Sequence, residues 1–231
     1  MITTDADVRI EKRVSEDLFI LSLKLYRYRE WLPGMFLQIS LDHKSASEPW
    51  LDSRAFSFAS WGRDTARILV RREGLFTSKL VEKSQSGFTT TIRYPFGNFL
   101  LLSGKNKVFI AGGAGISVFM SYLDYMRFKK VGNENVIIFH SVKKREETLQ
   151  NIYSSSLPGS VLVRQFITDT KEDTYTGRPS ISSFNEEQLE PNAHDFFICG
   201  PPQFTAYWVQ ELSKFQILPK LEQWVYGEVF S

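Results

Sequence analysis

The stretch KVFIAGGAGIS, residues 107–117, joins an unbroken apolar run to a cluster of glycines. The run predicts a strand buried on both faces, and the residues from Ile116 to about Lys130 follow a helical pattern. Glycines at such a junction let a ligand approach the backbone, and the start of a helix favours an anion such as a pyrophosphate. Because the strict G-x-G-x-x-G pattern is absent, a plain strand-to-helix turn is the alternative.

The alternation of apolar strands and helices continues towards the C-terminus. Further strands are predicted at NVIIFHSV, VLVRQFIT and DFFICG, and helices from about Glu146 to Ser155, near Ser180 to Gln188 and from Gln203 to Phe215. This order predicts a parallel sheet with helices on both faces.

The first hundred residues have a different rhythm. Their short segments are rich in β-forming residues and are broken by polar, glycine or proline connectors, which predicts an antiparallel barrel or sandwich. One segment after Gly74 is predicted to be a brief helix. The change of pattern at Leu101–Lys107 predicts two domains, residues 1–102 and 103–231.

The composition excludes several classes of protein. A net charge of +2 gives no reason to expect nucleic acid as a partner. The single cysteine, Cys199, excludes an internal disulfide and a cysteine-based metal cluster, and it fits a reducing compartment. No pair of the three histidines has metal-ligand spacing. A polar N-terminus and the lack of a long apolar run predict a cytoplasmic protein without a membrane span.

The stretch RAFSFAS, residues 54–60, places a cation, a flat ring and a hydroxyl close together. In a strand, Arg54 and Phe56 would share one face and Ser57 the other. This arrangement suits a ligand that is both planar and anionic, although an ordinary amphipathic strand is the alternative.

Two more segments have the composition of ligand-binding sites. In LVRREGLFTSKL, residues 69–80, a basic strand end precedes Gly74 and Thr77, which could form a phosphate cradle or a simple capped turn. In CGPP, residues 199–202, a strand ends where open α/β sheets bind ligands, and proline suits the first turn of a helix. Cys199 could equally be a small buried apolar residue.

Taken together and in this order, the segments resemble the ferredoxin–NADP reductase superfamily. Six motifs carry the resemblance: Arg54-x-Phe56-Ser57, Gly74-x-x-Thr77, YPFG at 94–97 with Tyr94 in place of the usual first glycine, Gly112-Gly113-Ala114-Gly115 with Ala114 in place of threonine, Cys199-Gly200-Pro201-Pro202, and Glu228-x-Phe230.

The resemblance implies a flavin-binding antiparallel β-barrel followed by a Rossmann-like α/β domain for a pyridine nucleotide. The implied flavin is FAD, with FMN the second choice. Arg54 would pair with its phosphate, and Phe56 would lie against its ring system. Ser57 would donate a hydrogen bond or relay a proton near its N5 atom. Backbone groups around Val70, Arg71 and Arg72 and the turn from Gly74 to Thr77 would hold the remaining phosphate and ring edges.

The resemblance also implies the nucleotide site. NADH or NADPH would bind over the loop formed by Gly112, Gly113 and Gly115, with Gly200 and Pro201 completing the site. Cys199 would pack against the nicotinamide. Glu228 would polarise the site or move protons, and Phe230 would contact the cofactor.

The implied activity is that of an FAD-dependent NAD(P)H oxidoreductase. Electrons would pass to a small carrier protein of the ferredoxin or flavodoxin type or to a partner oxygenase. A flavin reductase that uses flavin as a loosely bound substrate and a non-catalytic electron-transfer subunit are the alternatives. Lys143–Arg145 and Arg178 could bind the 2′-phosphate of NADPH, but Asp169 would repel it, which favours NADH.

Overall fold

The computed structural model describes residues 1–62, 64–102, 106–130, 134–169, 179–180, 189 and 193–222. In this part the chain divides into two compact units. The first contains Met1–Leu100 and Ser117–Tyr125, and the second contains Leu101–Ile116 and Met126–Gln223. Because residues 103–105 lie outside the description, the predicted boundary between residues 102 and 103 stays a prediction.

The first unit is built on a six-stranded antiparallel sheet that forms a nearly closed barrel. Its elements are β1 (Ile2–Arg13), β2 (Leu18–Leu25), β3 (Phe36–Ile39), β4 (Arg54–Ser57), β5 (Thr65–Arg71), helix α1 (Leu75–Ser86) and β6 (Phe88–Phe96). The strand order is β4-β3-β6-β1-β2-β5. The two edges meet just beyond β4, where the N–H of Ala59 donates to the carbonyl of Arg67 at 2.7 Å. The predicted antiparallel barrel is therefore confirmed.

The YPFG stretch belongs to a strand rather than to a turn. Tyr94 lies in β6 with its side chain fully buried, and its hydroxyl donates to the carbonyl of Arg27 at 2.7 Å. The same hydroxyl accepts the N–H of Arg29 at 3.0 Å, so it fixes the connection after β2. The turn begins only at Gly97, whose φ of 96° favours glycine.

The second unit is a five-stranded parallel sheet with helices. In chain order, the elements after β6 are β7 (Asn106–Gly112), helix α2 (Ser117–Lys129), β8 (Val136–Val142), helix α3 (Leu149–Ile152), β9 (Val161–Ile167), β10 (His194–Cys199), helix α4 (Pro202–Ser213) and β11 (Lys220–Leu221); of α2, Ser117–Tyr125 are grouped with the first unit. The strand order is β11-β10-β7-β8-β9. Residues 107–112 of β7 are all buried, as expected for a strand covered on both faces. No helix among the described residues is long and apolar enough to cross a membrane.

The helix predicted from about Glu146 to Ser155 is wrong in extent. The chain instead forms a short 3₁₀ turn, Arg145–Glu147, and the single-turn helix α3. Between them Thr148 has an extended backbone, and its hydroxyl donates to the carbonyl of Arg145 at 2.8 Å. Such local side-chain bonds to the backbone compete with a continuous helix. The helix predicted near Ser180–Gln188 lies almost wholly outside the described residues.

Candidate functional site

Arg54, Phe56 and Ser57 lie on β4, an edge strand of the barrel sheet. The antiparallel register places Arg54 opposite Ile39 and Phe56 opposite Leu37, so Arg54 and Phe56 share a face. Phe56 packs half-buried against the barrel core, whereas Arg54 is exposed and Ser57 is buried. The strand therefore presents a ring seated on the core beside an accessible cation.

The charge of Arg54 lies close to the start of helix α1. Its guanidinium carbon is 5.4 Å from the centroid of the Phe76 ring, and Phe76 is the second residue of the helix. One of its N–H groups donates to the carbonyl of Ser53 at 2.7 Å, which holds the side chain in place. The first N–H groups of a helix have no partner within it and favour an anion. A cation and a helix N-terminus therefore converge on one place.

The turn before α1 leaves room for a ligand. A Cβ atom added to Gly74 would meet no other atom within 4 Å, so the space beside this turn is open. The hydroxyl oxygen of Thr77 accepts the N–H groups of Glu73 and Gly74, both at 3.1 Å, and donates to the carbonyl of Gly74 at 3.2 Å. Thr77 thus organises the turn, and the phosphate donors that remain are the backbone N–H groups of the helix start.

The side chains at the strand end Val70–Arg72 have partners within the barrel, so the groups expected to hold the flavin there are those of the backbone. Val70 is buried, and Arg71 forms an ion pair with Asp17 at 2.7 Å. Partial burial acts to raise the pKa of Asp17, but hydrogen bonds from Arg71 and a nearby serine outweigh this and lower it. Asp17 is therefore a carboxylate that already neutralises Arg71. The guanidinium of Arg72 stands 5.8 Å from the ring of Phe19.

In the second unit, two glycine-containing loops meet at the carboxyl ends of adjacent strands. Strand β7 ends at Gly112 and is followed by a 3₁₀ turn, Gly113–Ile116, that begins with a φ of 53°. Strand β10 runs beside β7 with Cys199 opposite Ala111. The neighbours β8 and β10 lie on opposite sides of β7, so the strand order reverses at β7, which makes this edge a topological switch point. In open α/β sheets, ligands bind at such a point.

The glycines of the two loops allow their backbones to touch. A Cβ atom on Gly200 would lie 3.2 Å from the backbone nitrogen of Gly112, and one on Gly112 would lie 2.9 Å from the ring of Phe204. A Cβ atom on Gly115 would overlap the backbone at Cys199. The Gly112–Gly115 and Cys199–Pro202 motifs, far apart in the sequence, are therefore one packed structure, and the side chain of Cys199 is buried within it.

The ends of β8 and β9 bring together the two charges that bear on nucleotide choice. The N–H of Asp169 donates to the carbonyl of Lys143 at 3.1 Å, and both residues are exposed. The acid thus lies beside the first cation of the Lys143–Arg145 run. Arg178 is outside the described residues, as are Glu228 and Phe230.

Glu222 is a candidate functional residue that the sequence analysis did not single out. It follows β11, and its N–H donates to the carbonyl of Ile198 at 3.1 Å, so it continues the ladder beside Cys199. Its carboxyl is buried, and Oε2 has no hydrogen-bond partner among the described residues. Burial raises the pKa of Glu222 to about 8. The preceding strand is only Lys220–Leu221, so no motif or periodicity around Glu222 marks it in the sequence.

Glu222→Gln should weaken the pH dependence of stability on the alkaline side. A carboxyl whose pKa is raised on folding contributes stability that is complete below its unfolded pKa of 4.5 and is lost as the pH rises through about 8. From pH 7 to pH 9 the natural chain should lose about 1.4 kcal/mol of unfolding free energy relative to the variant. Urea unfolding of both proteins at the two pH values measures this difference, and parallel losses would contradict a protonated Glu222.

Comparison with known proteins agrees with this geometry. Residues 109–210 match the family model of the oxidoreductase NAD-binding domain. The anthranilate 1,2-dioxygenase electron transfer component of Acinetobacter baylyi is 24% identical over 213 residues, which cover 86% of this chain and 60% of that protein. The chain spans between 46% and 64% of the length of three curated relatives that it matches.

Solved structures share the fold of nearly the whole chain. The FAD/NAD-binding domain of a nitric oxide dioxygenase from Vibrio cholerae aligns with a TM-score of 0.77 and 18% identity, over 95% of this chain and 98% of that one. A ferredoxin NADP⁺ reductase from Neisseria gonorrhoeae, solved with bound FAD and NADP, aligns with a TM-score of 0.75 and 20% identity over the same shares.

These structures establish the fold: the chain has the two-part fold seen in the ferredoxin NADP⁺ reductase, a barrel followed by a parallel α/β unit. The similarity to the ferredoxin–NADP reductase superfamily that the sequence motifs indicate is confirmed.

Proposed function

We propose that the protein is an FAD-dependent NAD(P)H oxidoreductase that delivers electrons to a separate acceptor protein. The observation that most supports this proposal is the convergence of Arg54, the open turn at Gly74 and the N-terminus of α1 on the barrel. An accessible cation beside free backbone N–H groups is a phosphate site, and the chain also carries an oxidoreductase NAD-binding domain.

The barrel residues fit a flavin nucleotide. Arg54 would bind a phosphate oxygen together with the first N–H groups of α1, while Phe56 would lie against the flavin ring. Ser57 would donate a hydrogen bond near N5. When bound, FAD supplies the hydride-accepting ring and passes electrons on singly. The contribution of the chain is to bind, to orient and to exclude water around these atoms.

The loops of the α/β unit fit a dinucleotide. Because Gly112, Gly115 and Gly200 carry no side chain, the two loops pack against each other, and the backbone of the turn at Gly113–Ile116 would bind the pyrophosphate. Cys199 would pack against the nicotinamide. Asp169, held beside Lys143, would accept hydrogen bonds from a ribose hydroxyl and repel a 2′-phosphate, which favours NADH over NADPH.

The acceptor that we propose is a partner oxygenase or its small electron carrier. Support comes from the curated relatives, several of which are electron transfer components of oxygenases. The single cysteine of this sequence cannot hold an iron–sulfur cluster. A separate carrier of the ferredoxin or flavodoxin type would therefore be the first acceptor of the electrons.

Anaerobic reduction of the purified protein tests the proposal. The protein is expected to be yellow after desalting, and NADH should bleach the flavin absorbance band faster than NADPH at equal concentration. A colourless protein that reduces added flavin at the expense of NADH would instead establish a flavin reductase. A yellow protein that neither nucleotide bleaches would leave only a non-catalytic electron-transfer role.

A further inference from the structure

His140 lies in a row of residues in register that crosses the α/β sheet next to the nucleotide loops. The strand register aligns Cys199, Ala111, His140 and Gln165 on β10, β7, β8 and β9 in turn. Residues in register on neighbouring parallel strands project from the same face. His140 is fully buried, and its Nδ1 atom and Oε1 of Gln165 have no hydrogen-bond partner among the described residues. A buried imidazole nitrogen without a hydrogen-bond partner is costly, so it calls for a role.

The other ring nitrogen of His140 contacts the loop directly. Nε2 lies 3.0 Å from the carbonyl oxygen of Gly113, the first residue of the 3₁₀ turn. Burial lowers the pKa of His140 to about 4, so the imidazole is neutral at physiological pH. Because a carbonyl can only accept, Nε2 must carry the proton and donate it.

This hydrogen bond selects the orientation of one peptide group. In a trans peptide the carbonyl of Gly113 and the N–H of Ala114 point in opposite directions. Holding the carbonyl towards the buried imidazole turns the N–H of Ala114 away from it. Glycine has access to many conformations besides the φ of 53° found here, so the bond restricts the orientation of this peptide group.

We propose that His140 is a positioning residue that fixes the Gly113–Ala114 peptide with its N–H turned outwards to bind the nucleotide pyrophosphate. This inference rests on the proposed function of the α/β unit. The donor to the pyrophosphate would be the backbone N–H of Ala114. At this position the superfamily motif has a threonine, and this chain has no side-chain hydroxyl. The specific requirement is a donor at the position of Nε2.

A conservative pair of variants separates positioning from packing. His140→Gln keeps an N–H donor at a similar reach, whereas His140→Leu keeps the volume and removes the donor. On flavin-loaded protein, His140→Leu should raise the dissociation constant of NAD⁺, measured by calorimetry, at least fivefold. The KM for NADH should rise in parallel, with flavin content and the limiting rate of flavin reduction within twofold of the natural protein. His140→Gln should restore NAD⁺ binding to within twofold. His194→Gln, at the opposite end of the sheet, is the control and should change neither value.

Equal NAD⁺ affinity in all variants, or equal loss in both His140 variants, would overturn the positioning role while leaving the proposed function intact. If the natural protein binds neither NAD⁺ nor NADP⁺, the proposed function fails, and this inference fails with it.

Imidazole ¹⁵N spectra of the natural protein give a test that needs no variant. They should show a proton on Nε2 whose resonance shifts when NAD⁺ is added. A proton on Nδ1, or no shift on NAD⁺ binding, would overturn the inference.

Discussion

Arg54→Ala should release most of the bound flavin, raising the dissociation constant of FAD by about ten- to a hundredfold. A hydrogen bond to a charged partner contributes roughly 1.5–3 kcal/mol, and each 1.4 kcal/mol is about tenfold in affinity. Arg71 cannot take over, because its guanidinium is already paired with Asp17 at 2.7 Å. The flavin-to-protein ratio after dialysis and a fluorescence titration with FAD measure the effect.

A matched control separates the phosphate role from the general loss of an exposed arginine. Arg13 also stands against a phenylalanine, 6.0 Å from the ring centroid of Phe19, and also donates to a backbone carbonyl, that of Ser15. Arg13→Ala should therefore keep its flavin. Arg54→Lys should have an intermediate affinity, since an ammonium group keeps the charge but loses the paired donors. Full flavin retention by Arg54→Ala would exclude Arg54 as a phosphate ligand.

The architecture could be predicted because its signals are local. The run from Val108 to Ala111 is apolar without alternation, and it became a strand buried on both faces. In the first hundred residues, short β-rich segments separated by turn residues became the antiparallel barrel. Hydrophobic period and turn chemistry depend on neighbours in the sequence, so one chain is enough to read them.

The use that the fold makes of individual side chains could not be predicted in the same way. The segment from Gly74 to Thr77 allowed a phosphate cradle or a capped turn, and the structure shows that the hydroxyl of Thr77 is used in the turn. Backbone groups around Arg71 are expected at the flavin, and the structure adds that the side chain of Arg71 is paired with Asp17, more than fifty residues earlier. The Thr77 bonds are local to the turn, whereas the pair of Arg71 and Asp17 joins residues far apart in the sequence and leaves no pattern in it.

The roles of buried polar groups could not be predicted from the sequence either. His140 stands in an apolar strand with no histidine at metal-ligand spacing, and Glu222 stands in a segment with no motif. Their neighbours are set by the pairing of strands. This pairing places His140 opposite Ala111, and it places Glu222 beside Cys199. Register between distant strands is a tertiary property, so propensity alone cannot supply it.

The glycines of the nucleotide loop also allow the two loops of the α/β unit to pack together. The sequence analysis assigned them to close approach of a ligand. The structure shows that Gly115 also accommodates the neighbouring loop, since a Cβ atom there would lie 2.6 Å from the carbonyl carbon of Cys199 and 2.9 Å from the nitrogen of Gly200. Backbone atoms cannot turn aside as a flexible side chain can, so the two loops must separate to admit a methyl group.

Gly115→Ala is therefore expected to raise the dissociation constant of NAD⁺ more than tenfold and to destabilise the protein by about 1–3 kcal/mol, the usual cost of an overpacked site. Flavin content should remain unchanged, because the variant leaves Arg54, Phe56 and the start of α1 untouched. Gly159→Ala is the control, since a Cβ atom at Gly159 meets nothing within 4 Å. Calorimetry with NAD⁺ and urea unfolding of both variants give the two values. Normal NAD⁺ binding by Gly115→Ala would show that the contact between the loops is not needed to form the nucleotide site.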